Sequence, residues 1–186
     1  MEEDQDFRGR RQVDKVTHKS NRKPNLQWIE SSIGSPMPEE AFIVGIQNGK
    51  NLYIGQTGNL LEGVVCGPLV EGEPLMASTG DESNPIKFME SYKVLVIPNH
   101  ARTVHWVPAT AKLEGTIPGG RINGRNILIG RVPYKRDKVT EWKVGMVSSP
   151  FQSDGTLVCH VPCKDDDFCS VDMYTVNVEI LCLQPY

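Results

Sequence analysis

The sequence predicts an all-β fold made of two tandem pseudo-symmetric antiparallel units, sandwich-like in their packing. Three observations carry this. One β-rich pattern with an Asn-Gly turn occurs twice, and the C-terminal segment alternates with period 2. Seventeen glycines and thirteen prolines also interrupt the chain too often for long helices.

Taken in order, residues 1–25 read as a disordered charged tail. Glu2, Glu3, Asp4 and Asp6 come first, and a basic run from Arg8 to Lys23 follows. Phe7, Val13 and Val16 are its only large apolar residues, too few to offset the entropy of ordering. The segment lacks the apolar core of a signal peptide, which points to a cytoplasmic protein; its basic run gives nuclear entry as an alternative. An odd count of five cysteines fits a reducing compartment.

Two units follow, 26–100 and 101–186. Asn48-Gly49-Lys50-Asn51-Leu52-Tyr53-Ile54-Gly55 matches Asn123-Gly124-Arg125-Asn126-Ile127-Leu128-Ile129-Gly130, and Gly45 matches Gly120 at the same spacing. Trp28 pairs with Trp106, Met37-Pro38 with Ile117-Pro118, and Tyr92–Val96 loosely with Val178–Cys182. An ordered series of such matches is an internal duplication. Asn-Gly supplies the two positive φ angles of a type I′ hairpin turn, so each copy starts a hairpin before Leu52–Ile54 or Ile127–Val132. At the C-terminal end Tyr174, Val176, Val178, Ile180 and Cys182 share one predicted face. The two units can form one sandwich or two beads, and equivalent edges can be exchanged between them.

The bulk numbers exclude several functions. A formal net charge of −3 argues against nucleic-acid binding in the usual basic mould. No apolar run reaches the ~18 residues of a spanning helix. There is no Gly-x-Ser-x-Gly elbow, no phosphate loop ending in Lys-Ser/Thr and no His-Glu-x-x-His, so no enzyme and no cofactor is expected. The densest cluster is Cys159-His160-Val161-Pro162-Cys163 with Asp165, Asp166, Asp167 and Cys169. A zinc site would take Cys159, Cys163 and Cys169 with His160 or a carboxylate. Adjacent Cys159 and His160 point to opposite faces of a strand, and buried thiols beside an acidic loop are the preferred reading. Trp28 and Trp106 read as repeated core anchors. Trp142 has no aromatic partner, because Gly63 occupies the aligned position, and it is the better candidate for a surface role.

These residues resemble the DM-nine repeat family. The resemblance rests on Trp106, Ile117-Pro118, Gly120, Asn126-Ile127-Leu128-Ile129-Gly130-Arg131 and Tyr92-Lys93-Val94-Leu95, and covers about residues 26–186. It implies a non-enzymatic binding module of the kind seen in natterin-type toxins and in invertebrate mannose-binding lectins that form homodimers. It also implies a cytoplasmic, in part vesicle-associated, role in innate immunity. In the lectins each repeat grips a sugar diol between an aspartate after the glycine and a lysine beyond the hairpin, which accept from and donate to hydroxyls.

This chain departs from that pattern. The aspartate positions hold Gln47 and Asn48 in the first unit, Ile122 and Asn123 in the second. The lysine positions, aligned through Glu62 and Glu141, hold Val64 and Lys143. The expected ligand is a mannose-like or other glycan, held at a degenerate second site around Asn123, Arg131, Lys143 and Trp142, with Gln47 and Asn48 as remnants of the first. Asn48 and Asn123 also have a simpler reading as turn residues, and Lys143 one as a solvated strand lysine. The alternative function is a protein–protein interaction module that has lost its sugar site.

Overall fold

The computed structural model describes residues 26–59, 63–78, 86–98, 104–136, 139–148, 157–165 and 168–184. The charged segment 1–25 lies outside the described residues. Among those described there is no helix; antiparallel strands run throughout and do not close into a barrel.

The first unit contributes β1 (Gln27–Ser32), β2 (Gly45–Gln47), β3 (Lys50–Asn59), β4 (Gly63–Val70), β5 (Leu75–Ser78), β6 (Ile86–Met89) and β7 (Ser91–Val96). The second contributes β8 (Val104–Pro108), β9 (Pro118–Ile122), β10 (Arg125–Arg136), β11 (Val139–Ser148), β12 (Val158–Asp165), β13 (Phe168–Tyr174) and β14 (Glu179–Leu183). Pairing recurs from one set to the other. β1 pairs β7 as β8 pairs β14; β2–β3–β4 form a meander as β9–β10–β11 do; β5 pairs β6 as β12 pairs β13. Gly55 opposite Val94 on β7 is matched by Gly130 opposite Ile180 on β14. The terminal strands β1 and β8 each pair within their own unit, so they are not exchanged.

Both Asn-Gly sites form the turns expected of them. Asn48 and Asn123 have φ of 50° and 49°, and Gly49 and Gly124 follow at 75° and 77°, the double positive φ of a type I′ turn. Arg121 Nε donates to the Gly124 carbonyl at 2.9 Å and braces the second turn.

The central strands bury both faces. Leu52 and Ile54 on β3 and Ile127 and Ile129 on β10 enter one shared core, with Phe42, Leu95, Met146 and Leu181. The other face of β3 places Tyr53 in an outer core with Leu69, Leu75, Tyr92 and Val94. The other face of β10 places Val132 with Val147, Cys159, Val161 and Ile180. Burying a Leu or Ile side chain contributes roughly 1.5–3 kcal/mol, so the shared core ties the units together strongly. Trp28 and Trp106 pack against its edge, as core anchors should.

The structure differs from the sequence pattern in two places. The C-terminal alternation does not run unbroken from Tyr174 to Cys182. β13 ends at Tyr174, Val176 is 69% exposed, and Asn177 turns the chain at φ 54°. In β14, Ile180, Leu181 and Cys182 are all buried, because both faces meet cores. The second difference is of register. Gly67 lies opposite Gly55, as Gly145 lies opposite Gly130. Counting outward from these, Val64 opposite Gly58 corresponds to Trp142 opposite Pro133, and Val65 corresponds to Lys143. The alignment through Glu62 and Glu141 slips by one residue, because the second hairpin is longer and local sequence does not say where the extra residues sit.

The units also meet main chain to main chain. β9 joins β4 through the pair Val64–Arg121. Gly120 makes this approach: a Cβ there would collide with the Val64 carbonyl. Gly120→Ala is therefore expected to destabilise the protein by about 1–3 kcal/mol, as overpacking against immobile backbone does. Urea denaturation checks this, and an unchanged midpoint would show that the seam is looser than described.

Candidate functional site

On the pseudo-symmetric side of the seam, β2 of the first unit faces β11 of the second. Among the described residues no main-chain ladder joins these two strands. Trp142 stands between them; a Cβ on Gly45 would lie 3.1 Å from the Trp142 Cβ. Where Val64 lets backbone reach backbone, the indole holds β2 off.

Trp142 is itself clamped. The Arg131 guanidinium lies 3.7 Å from the Trp142 ring centroid and 4.2 Å from that of Trp106. Its Nε and Nη2 both donate to Glu179 Oε2 at 2.7 Å, and Nη1 makes a long contact of 3.5 Å to the Val44 carbonyl. Burial lowers the Arg131 pKa, and the hydrogen bond and charge of Glu179 work against that shift. At 16% side-chain exposure, over two indole rings and paired with Glu179, Arg131 is occupied in structure. The first unit has Gln56 in its place, and Gln56 Nε2 donates to the Gly119 carbonyl at 2.9 Å. Each central strand thus reaches across to the other unit, at Val44 or Gly119.

Beside this wedge opens a cleft of about 320 Å³, within the range of small-molecule sites, roughly 300–1,000 Å³. One wall is the β2–β3 tip, Gln47 and Asn48; the other is β10–β12, with Tyr134, Glu141, Trp142, Lys143 and Cys163. Glu73, Pro74, Met76 and Phe88 of the first unit close the rim. Lys143 Nζ donates to Cys163 Sγ at 3.3 Å and to Tyr174 Oη at 3.5 Å. It also lies 4.4 Å from the Tyr134 centroid and 6.0 Å from that of Tyr174. It is a half-buried, positioned cation, unlike a solvated strand lysine. Glu73 at the rim pairs with Lys50 at 3.1 Å.

Four of the six sequence candidates, Gln47, Asn48, Trp142 and Lys143, therefore meet in one cleft. Asn123 and Arg131 do not line it. Asn123 sits at the exposed tip of the other hairpin, beyond β9, and Arg131 is held against the two tryptophans. The expected grouping within the second unit gives way to one across units: the tip of one copy faces the lysine of the other. Nothing in the local sequence marks Tyr134 or Glu141 as ligand-binding, and Cys163 reads there only as a candidate zinc ligand. Their neighbourhood to Lys143 follows from the β10–β11 register and from β12 lying beside β11, which local sequence does not state.

The cysteine cluster divides. Cys159 is buried in the outer core of the second unit, where burial pushes its thiol up to about 12. Cys163 faces the cleft, and the Cys169 side chain lies outside the described residues. His160 turns to the other side of β12, with Nε2 3.2 Å from Ser148 Oγ. Among the described residues no group of three His, Cys, Asp or Glu side chains is placed to hold a metal ion, and no helix is long and apolar enough to cross a membrane.

No protein-family model matches this chain, and no curated protein sequence matches it.

Burial lowers the His160 pKa below its ordinary value of 6.5. The unfolded chain then takes up this proton first, so stability is lost as the pH falls below about 6.5, until the folded ring also protonates. His160→Asn is expected to flatten that part of the stability profile. Urea midpoints measured from neutral to mildly acid pH check it; an equally steep fall in the variant would assign the effect elsewhere.

Proposed function

We propose that this chain is a non-enzymatic binding module of DM-nine type and that the cleft between β2 and β11 takes a carbohydrate. The observation that carries the reading is the meeting of the Gln47–Asn48 tip of one unit with Lys143 of the other. Sugar hydroxyls both donate and accept. The amide oxygens and Glu141 accept from them, and the ammonium of Lys143 and the amide nitrogens donate. Tyr134 and Trp142 bring aromatic groups against which apolar C–H faces of a pyranose pack. Gln47 in place of an aspartate removes one charge from the pattern of the mannose-binding lectins, so a glycan other than mannose fits equally well. An odd count of five cysteines fits a reducing compartment and supports a cytoplasmic site of action, as in the resembled family's responders to infection.

A second reading, protein–protein recognition, draws on the apolar rim: Phe88 and Tyr134 are 43% and 41% exposed, with the half-buried Pro74 beside them.

A glycan array separates the two. The carbohydrate reading expects selective binding that weakens about tenfold or more in Lys143→Ala, the cost of a lost charged hydrogen bond of about 1.5–3 kcal/mol. It expects no change in Asn123→Gly, which keeps the turn and lies off the cleft. A blank array with folded protein, or binding indifferent to Lys143→Ala, would overturn it, and the blank array would turn attention to the apolar rim.

A further inference from the structure

Four cysteines have described surroundings, and they fall into two kinds. Cys66, Cys159 and Cys182 are fully buried at 0% exposure, and burial pushes Cys66 and Cys159 up to about 12. Neither the thiolate nor an oxidant is available at such positions. Cys163 differs in three respects. It is only partly buried, it lines the open cleft, and its Sγ accepts from the Lys143 ammonium at 3.3 Å.

The contact is built into the fold. β11 and β12 are registered with Met146 opposite His160, and continuing that register sets Lys143 opposite Cys163, so the two are cross-strand neighbours. The Tyr134 and Tyr174 rings lie near the ammonium at 4.4 and 6.0 Å, and Tyr174 Oη accepts from it at 3.5 Å. The cation is therefore held against the sulfur.

We propose that Cys163 and Lys143 form a thiol–ammonium pair that makes Cys163 a site of reversible oxidation by hydroperoxides. An adjacent ammonium favours the thiolate, which is the nucleophile. The Cys163 sulfur attacks one oxygen of hydrogen peroxide. The S–O bond forms, and the O–O bond breaks with its electron pair on the departing hydroxide. That hydroxide takes a proton from Lys143 Nζ and leaves as water, and Lys143 is reprotonated from the solvent, to which the Cys163 thiol lost its proton before the attack. Sulfur is oxidised to sulfenic acid and the peroxide is reduced; a small thiol then condenses with the sulfenic acid to a disulfide, which a second thiol reduces. Lys143 acts here as a positioning residue and proton donor. Oxidation needs only access to the cleft, so this inference stands or falls separately from carbohydrate binding.

The test treats the folded full chain with hydrogen peroxide, traps sulfenic acid with dimedone, and locates the adduct by peptide mass mapping across a range of pH. The expected result is an adduct at Cys163, with Cys66, Cys159 and Cys182 unmodified. The wild-type rate should rise with a midpoint below the ordinary thiol value of about 8.5. Lys143→Gln should react about tenfold more slowly at neutral pH with its midpoint moved up, since each unit of pKa changes the thiolate fraction about tenfold. Lys143→Arg, which keeps the charge, should retain most of the rate. Cys163 reacting no faster than the buried thiols, a wild-type midpoint at or above about 8.5, or equal rates in wild type and Lys143→Gln would each overturn it.

Discussion

Trp142 is wedged between strands that its counterpart position allows to touch. At the matching place in the first unit stands Val64, whose carbonyl lies so close to Gly120 that only a glycine fits. Two copies of one unit thus meet through backbone on one side and through an indole on the other. Arg131 holds the indole there: its planar guanidinium lies over both the Trp142 and Trp106 rings and is anchored by Glu179. Such stacking contributes about 0.5–2 kcal/mol, more as water is excluded, and lysine would not reproduce its planar fork. The first unit carries Gln56 and Val64 in these positions, so only one side of the seam has the clamp.

Everything distinctive about the cleft follows from that asymmetry. Lys143 is the next residue along β11, and with Trp142 fixed its side chain turns toward Tyr134, Tyr174 and Cys163. The β2–β3 tip, held off by the indole, presents Gln47 and Asn48 across the gap. Neither unit owns the site. The shared core of Leu52, Ile54, Ile127 and Ile129 keeps the two walls in register, and the reciprocal contacts of Gln56 with Gly119 and Arg131 with Val44 set their spacing. A cleft made this way is sensitive to the packing between units, even at residues that do not line it.

The fold is largely legible in the sequence, because its signals are local. Asn48-Gly49 and Asn123-Gly124 specify their turns by φ alone, and repetition of the surrounding pattern reveals the duplication. The site was legible only in part. Lys143 and Trp142 stood out as departures from the first unit, but their partners did not. Gln47 lies nearly a hundred residues away in sequence and meets Lys143 only through the pseudo-twofold arrangement. Arg131 looked like a ligand because an exposed strand arginine and a clamped one read alike until Trp106 and Glu179 are seen around it. The slip that set Gly63 against Trp142 came from the unequal hairpins, a difference that hydrogen-bond register resolves and sequence similarity does not.

Trp142 keeps β2 from joining β11, and the structure of a Trp142→Val variant tests this most directly. With the side chain of the first unit restored, β2 should close onto β11. Ile46 should then pair with position 142 as Arg121 pairs with Val64, and the cleft should shrink. A variant in which β2 stays apart and the cleft keeps its volume of about 320 Å³ would show that something other than the indole holds the units open.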